Sequence, residues 1–186
     1  MKKIIPILIL FFASNVITSQ NCEAKISKVD EMTEKPLEYW GGDLGGRSTI
    51  MTGKGYTVSF YTSTDSDQQN APYAVLVVTH KVPATDAGIF DAVFEEGKPF
   101  LLKTENGLIE MPVEKVMKSN KRFLDTYSVT NQLIGYISKE TAEKLANGKI
   151  EMFRAISSNG QSIEGKVGKK DANRLQEQFK CFLQKI

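Results

Sequence analysis

The stretch FLLKTENGLIEMPV, from Phe100 to Val113, decides the fold class. Asn106-Gly107 at its centre favours a tight two-residue turn, because both central residues of such a turn must accept positive φ. Running the register outward pairs Thr104 with Ile109, Leu102 with Met111 and Phe100 with Val113. Those six side chains share one face and are almost all apolar. Lys103 and Glu110, of opposite charge, face each other on the other side. Turn chemistry and face pattern agree on an antiparallel hairpin with one buried side.

Strand signals continue in both directions. A second hairpin is expected about Asn159-Gly160, pairing Ile156 with Ile163, Arg154 with Gly165 and Met152 with Val167. Tyr56 to Ser63 alternates with period two, with Tyr56, Val58 and Phe60 on one face, as in a half-buried strand. Tyr73 to His80 is apolar on both faces, which suits a central strand. Ala24 to Asp30, Phe123 to Thr130 and Gln132 to Ile137 are further strand candidates. Ser138 is placed to cap a short helix that Asn147-Gly148 stops. Ala172, Leu175, Phe179, Phe182 and Ile186 form one stripe of a C-terminal amphipathic helix, with Cys181 off the stripe. These elements predict a mainly β (α+β) fold: an antiparallel β-sandwich or partly rolled sheet with one short helix and the C-terminal helix packed on it. The 186 residues, without internal repeats, suit a single β-rich domain over 21–186.

Residues 1–20 read as a signal peptide. Lys2 and Lys3 precede an apolar run from Ile4 to Phe12, and Ala13, Ser14, Thr18 and Ser19 supply a small, polar exit. The run is shorter than the roughly 20 residues a spanning helix needs. Gln20 and Asn21 before Cys22 argue against a lipid anchor. The expectation is a secreted or periplasmic protein with no membrane anchor after cleavage. In an oxidising compartment, Cys22 and Cys181, near the two ends of the mature chain, are expected to be bridged.

The whole chain carries a formal charge of +2, and loss of Lys2 and Lys3 leaves 22 basic and 22 acidic residues. A neutral domain is poor support for nucleic-acid binding. The charge is uneven: residues 21–110 hold 8 basic and 14 acidic side chains, and residues 111–186 hold 14 and 8. The two halves either complement each other in packing or leave a basic surface at Lys115, Lys118, Lys121 and Arg122, or at Lys166, Lys169, Lys170 and Arg174.

Few motifs carry chemistry. Gly41 to Ser48 comes close to a phosphate loop but has Arg47 where Lys is required, no strand before it and β sequence after it. It reads as a flexible loop, and with Tyr39 and Trp40 beside it, as a candidate recognition loop. Asp65-Ser66-Asp67 begins like a calcium loop, but Asn70 and Leu76 stand where glycine and glutamate are needed. His80, the one histidine, reads as an edge or core residue. Arg154 falls among apolar positions, so it is expected to reach out at a sheet edge, to meet a carboxylate, with Asp125 the first choice, or to meet an anionic ligand. No nucleophile elbow, zinc helix or redox cysteine pair occurs.

The function expected from the sequence is therefore a small exported binding or interaction domain, non-catalytic, without cofactor or metal, for a protein or small-molecule partner. Tyr39, Trp40, Arg47 and Arg154 are its candidate ligand-binding residues. A carrier of a small apolar ligand inside a rolled sheet is the alternative. A hydrolase using carboxylates among Asp65, Asp67, Asp86, Asp91, Glu95 and Glu96 comes third.

Overall fold

The computed structural model describes residues 22–29, 36–49, 54–64, 71–83, 93–123, 126–158, 160 and 162–186. The proposed leader, the Asp65-Ser66-Asp67 stretch, Asp86, Asp91 and Asp125 lie outside the described residues. Among the described residues, ten strands and two helices follow in chain order: β1 (Ile26–Val29), β2 (Pro36–Thr49), β3 (Lys54–Ser63), β4 (Tyr73–Pro83), β5 (Pro99–Thr104), β6 (Gly107–Pro112), β7 (Lys115–Phe123), β8 (Thr126–Tyr136), α1 (Lys139–Asn147), β9 (Ile150–Ile156), β10 (Ser162–Lys166) and α2 (Lys169–Leu183). The strands form a six-stranded sheet, β1-β2-β3-β4-β8-β7, and a four-stranded sheet, β10-β9-β5-β6, with every pairing antiparallel. The mainly β architecture with a short helix and a C-terminal helix is the one expected from the sequence, and its two sheets have a half-barrel curl.

Alternation along the strands selects the buried face. In β4 it is Ala74, Leu76, Val78, His80 and Val82, and in β3 it is Val58, Phe60 and Thr62. This face meets the inner face of the small sheet, from Phe100, Leu102, Phe153 and Ala155, together with Leu175, Phe179 and Phe182 of α2. Phe60 is the hinge of the packing. Its ring lies 5.7 Å from Phe100 and 5.5 Å from Phe179, both edge-on, so the two sheets and the helix meet on one side chain. Ser138 caps α1 by accepting from the Thr141 amide at 3.1 Å, as its sequence position suggests.

Four expectations are corrected. The hairpin at Asn106-Gly107 forms two residues out of the expected register, with Thr104 opposite Gly107, Leu102 opposite Ile109 and Phe100 opposite Met111. Thr104 Oγ1 accepts from the Asn106 amide, and the Asn106 side chain donates to the Asn147 carbonyl at the end of α1. Those bonds fix Glu105-Asn106 as the turn. A shift of two keeps every side chain on its face, so the buried set survives. The second hairpin slips by one, with Ile156 opposite Ser162 and Arg154 opposite Glu164, because Ser158 is fastened to the Val93 carbonyl through its amide and hydroxyl. A slip of one reverses β9 against β10: Phe153 and Ala155 join Ile163 on the inward face, and Arg154 turns out.

The glycine-rich segment is also not a loop. Gly41 to Ser48 lies within β2, fourteen residues long, and a bulge between Asp43 and Gly45 lets Leu44 reach the core. Glycine is required here, not merely tolerated: Gly41 has φ +150°, and an added Cβ would collide with the Phe60 carbonyl oxygen. The Gly41→Ala variant is expected to lose about 2 kcal/mol or more in urea unfolding. Finally, Cys181, off the apolar stripe of α2 in the sequence, is nonetheless buried. It is 4% exposed, and it bonds Cys22 across a sequence separation of 159 residues.

Candidate functional site

The outer face of the four-stranded sheet carries a concavity of about 200 Å³, lined by Leu101, Lys103, Leu108, Met152, Phe153, Arg154 and Glu164. Strand register builds it as two adjacent rows. One runs Lys166, Met152, Lys103, Leu108 from β10 across to β6, and the next runs Glu164, Arg154, Leu101, Glu110. Leu101, Leu108 and Met152 make an apolar floor, and Leu108 is 55% exposed. Two ion pairs frame it: Arg154 donates through Nε to Glu164 Oε2 at 2.7 Å, and Lys103 Nζ stands 3.7 Å from Glu151. The side chains of both pairs are about half exposed, so each adds at most about 1 kcal/mol to the fold. Their geometry shapes the rim more than it stabilises the sheet. Replacing Arg154 by Ala is expected to move the unfolding free energy by less than about 1 kcal/mol.

The four candidate binding residues are not brought together. Tyr39 and Trp40 are neighbours on β2 and take opposite faces. Trp40 is 1% exposed and packs on the Phe182 ring at 5.9 Å, so it is a core residue and not a loop aromatic. Tyr39 is half-buried on the other side, its hydroxyl 3.1 Å from that of Tyr73. Arg47 is exposed at the far end of β2, opposite Tyr56. Of the four, Arg154 alone lines the groove, and it pairs with the carboxylate of Glu164, while Asp125 lies outside the described residues. Leu101, Leu108 and Met152 were missed by sequence reasoning. The usable signal was Leu108 itself, a large apolar residue on the solvent side of a hairpin, in the row next to Lys103.

His80 is a second feature of note. It is 6% exposed on β4 beside the Tyr56 ring, 6.4 Å away, and burial pushes its pKa below the ordinary 6.5. Between pH 6.5 and that lower value the unfolded chain binds more protons than the folded one, so folding stability falls as the pH drops through this window. Urea midpoints at pH 7.5 and 5.5 should show the loss, and His80→Gln should flatten it, since the chain holds no other histidine.

No protein-family model, curated protein or solved structure matches the chain. The fold and site define a two-sheet β domain, tied end to end by a disulfide, with an apolar groove on an exposed sheet face. No helix among the described residues is long and apolar enough to cross a membrane.

Proposed function

We propose that this is an exported, non-catalytic binding domain whose groove on the four-stranded sheet receives an extended segment of a partner protein. The observation that carries the reading is Leu108. It lies more than half exposed on β6, the edge strand of the small sheet, and its side chain lines the groove. An edge strand presents unpaired backbone N–H and C=O groups, which an extended segment can pair with. The adjoining apolar floor then takes one of its side chains, and the charged rim at Arg154 and Lys103 sets its register. The space around Phe60 is filled by rings, which favours surface recognition over an enclosed apolar ligand. Export rests on the leader-like residues 1–20 and on the disulfide, a bond that persists in oxidising compartments.

The test is selection of random twelve-residue peptides on the oxidised domain, followed by affinity measurement on Leu108→Asp. Peptides with an apolar residue flanked by extended-chain formers should be enriched. Their affinity should fall at least about tenfold in the variant, while its unfolding midpoint stays near that of the parent. Failure to enrich any sequence, or equal affinity for the variant, would remove the groove from the function.

A further inference from the structure

The curled six-stranded sheet holds a second, separate polar site. Two side chains on its concave face are almost wholly buried and each leaves a nitrogen without a hydrogen-bond partner: His80 Nε2, on a residue 6% exposed, and Asn131 Nδ2, on one 2% exposed. They belong together by register. His80 on β4 stands opposite Val129 on β8, and Asn131 is two residues further along β8, so the two are diagonal neighbours on one face. Diagonal neighbours lie about 7–8 Å apart, within reach of a single bridging group. One unsatisfied buried donor is unusual in a folded protein; two side by side imply something that completes them.

The surroundings indicate its chemistry. Val82 and Val129, both buried, flank the pair outside the main core cluster, and Tyr56 walls it from β3. The Asn131 amide nitrogen is a donor, and neutral His80 is one too when its proton sits on Nε2, the tautomer that lets a single acceptor complete both. On the same face, Arg47 stands opposite Tyr56, and Arg122 lies on β7 opposite Tyr127. On this face the carboxylate of Glu38 lies at the opposite end of the sheet, beyond Trp40, while Lys118 stands directly opposite Asn131, so the field at the pair favours negative charge. We infer that His80 and Asn131 form a binding site for a small carboxylate, one oxygen accepting from His80 Nε2 and the other from Asn131 Nδ2. The apolar part of the ligand packs on Tyr56 and the two valines. This site lies on the other sheet from the groove and does not depend on it.

Because His80 is the single histidine, its ring gives one unobstructed NMR signal. Acetate titrated into the full oxidised domain at constant ionic strength and pH 7.5 should move the His80 Cε1–Hε1 resonance along a saturating curve. Acetamide, of the same shape but without charge, should bind at least about tenfold more weakly. Asn131→Leu should weaken acetate binding at least about fivefold. If that variant does not fold, the acetate and acetamide curves on the parent decide alone. No saturable shift up to about 100 mM acetate, or equal curves for the two probes, overturns the site and leaves a buried water as the partner of both nitrogens.

Discussion

Replacing both Cys22 and Cys181 by alanine should lower the unfolding free energy by about 4–5 kcal/mol. The bond joins residues separated by 159 positions, so its absence releases a loop spanning nearly the whole described chain in the unfolded ensemble. Chain-entropy accounting puts the largest gains at such long loops. The reference is a domain whose total stability is expected at about 5–15 kcal/mol, so the variant stands near the edge of folding at 37 °C. The native side matters less. Cys181 is buried beside Phe182 on α2, and alanine leaves a small void there. Urea unfolding of the oxidised parent, the reduced parent and the double variant measures the effect. The reduced parent and the variant should share a midpoint well below the oxidised form. Coincident midpoints for all three would mean that the bridge does not constrain the unfolded chain.

Truncation of Phe60 should be of similar size. Its side chain is fully buried and is shared between the two sheets and α2 through Phe100 and Phe179. Phe60→Ala removes the transfer free energy of a large ring and opens a cavity bounded by β-sheet backbone that cannot collapse into it. Such substitutions cost about 3–5 kcal/mol. Phe60→Leu should recover much of the loss by refilling volume. If Phe60→Ala cost less than about 1 kcal/mol, the face-to-face packing of the two sheets at this residue would be wrong.

What the sequence made legible follows the physics of each signal. Period-two alternation identified β3, and an apolar run on both faces identified β4, because each strand buries a face against the core. The Asn-Gly turns located both hairpins but not their registers. In the first, a Thr104 hydroxyl and a helix carbonyl from forty residues away chose which two residues turn. In the second, Ser158 was held by Val93, again a distant contact. Only the one-residue slip mattered for the site, since it moved Arg154 from the core to the groove rim. β7 was not recognised as a strand. Lys115, Lys118, Lys121 and Arg122 hide the alternation there, as charges on an edge strand usually do. β2 was missed for the opposite reason: glycines that read as a loop are instead what lets the strand pack against β3 at Gly41. The two strands expected between Phe123 and Ile137 are largely one, β8, which passes through a buried Asn131 that apolar pattern counting treats as a break.

The sequence supplied Arg154 as an unusual polar placement but not its carboxylate, and it placed His80 on a strand without its neighbour on the sheet face. Glu164 comes from the neighbouring strand and Asn131 from a strand 51 positions away. Neither separation has a sequence signature.

The most direct measurement of the central claim is the intact mass of the protein recovered from its natural host, by compartment, before and after reduction. An extracytoplasmic species lacking about twenty N-terminal residues, and about 2 Da lighter than its reduced form, is the predicted result. A full-length cytosolic chain with two titratable thiols would contradict it.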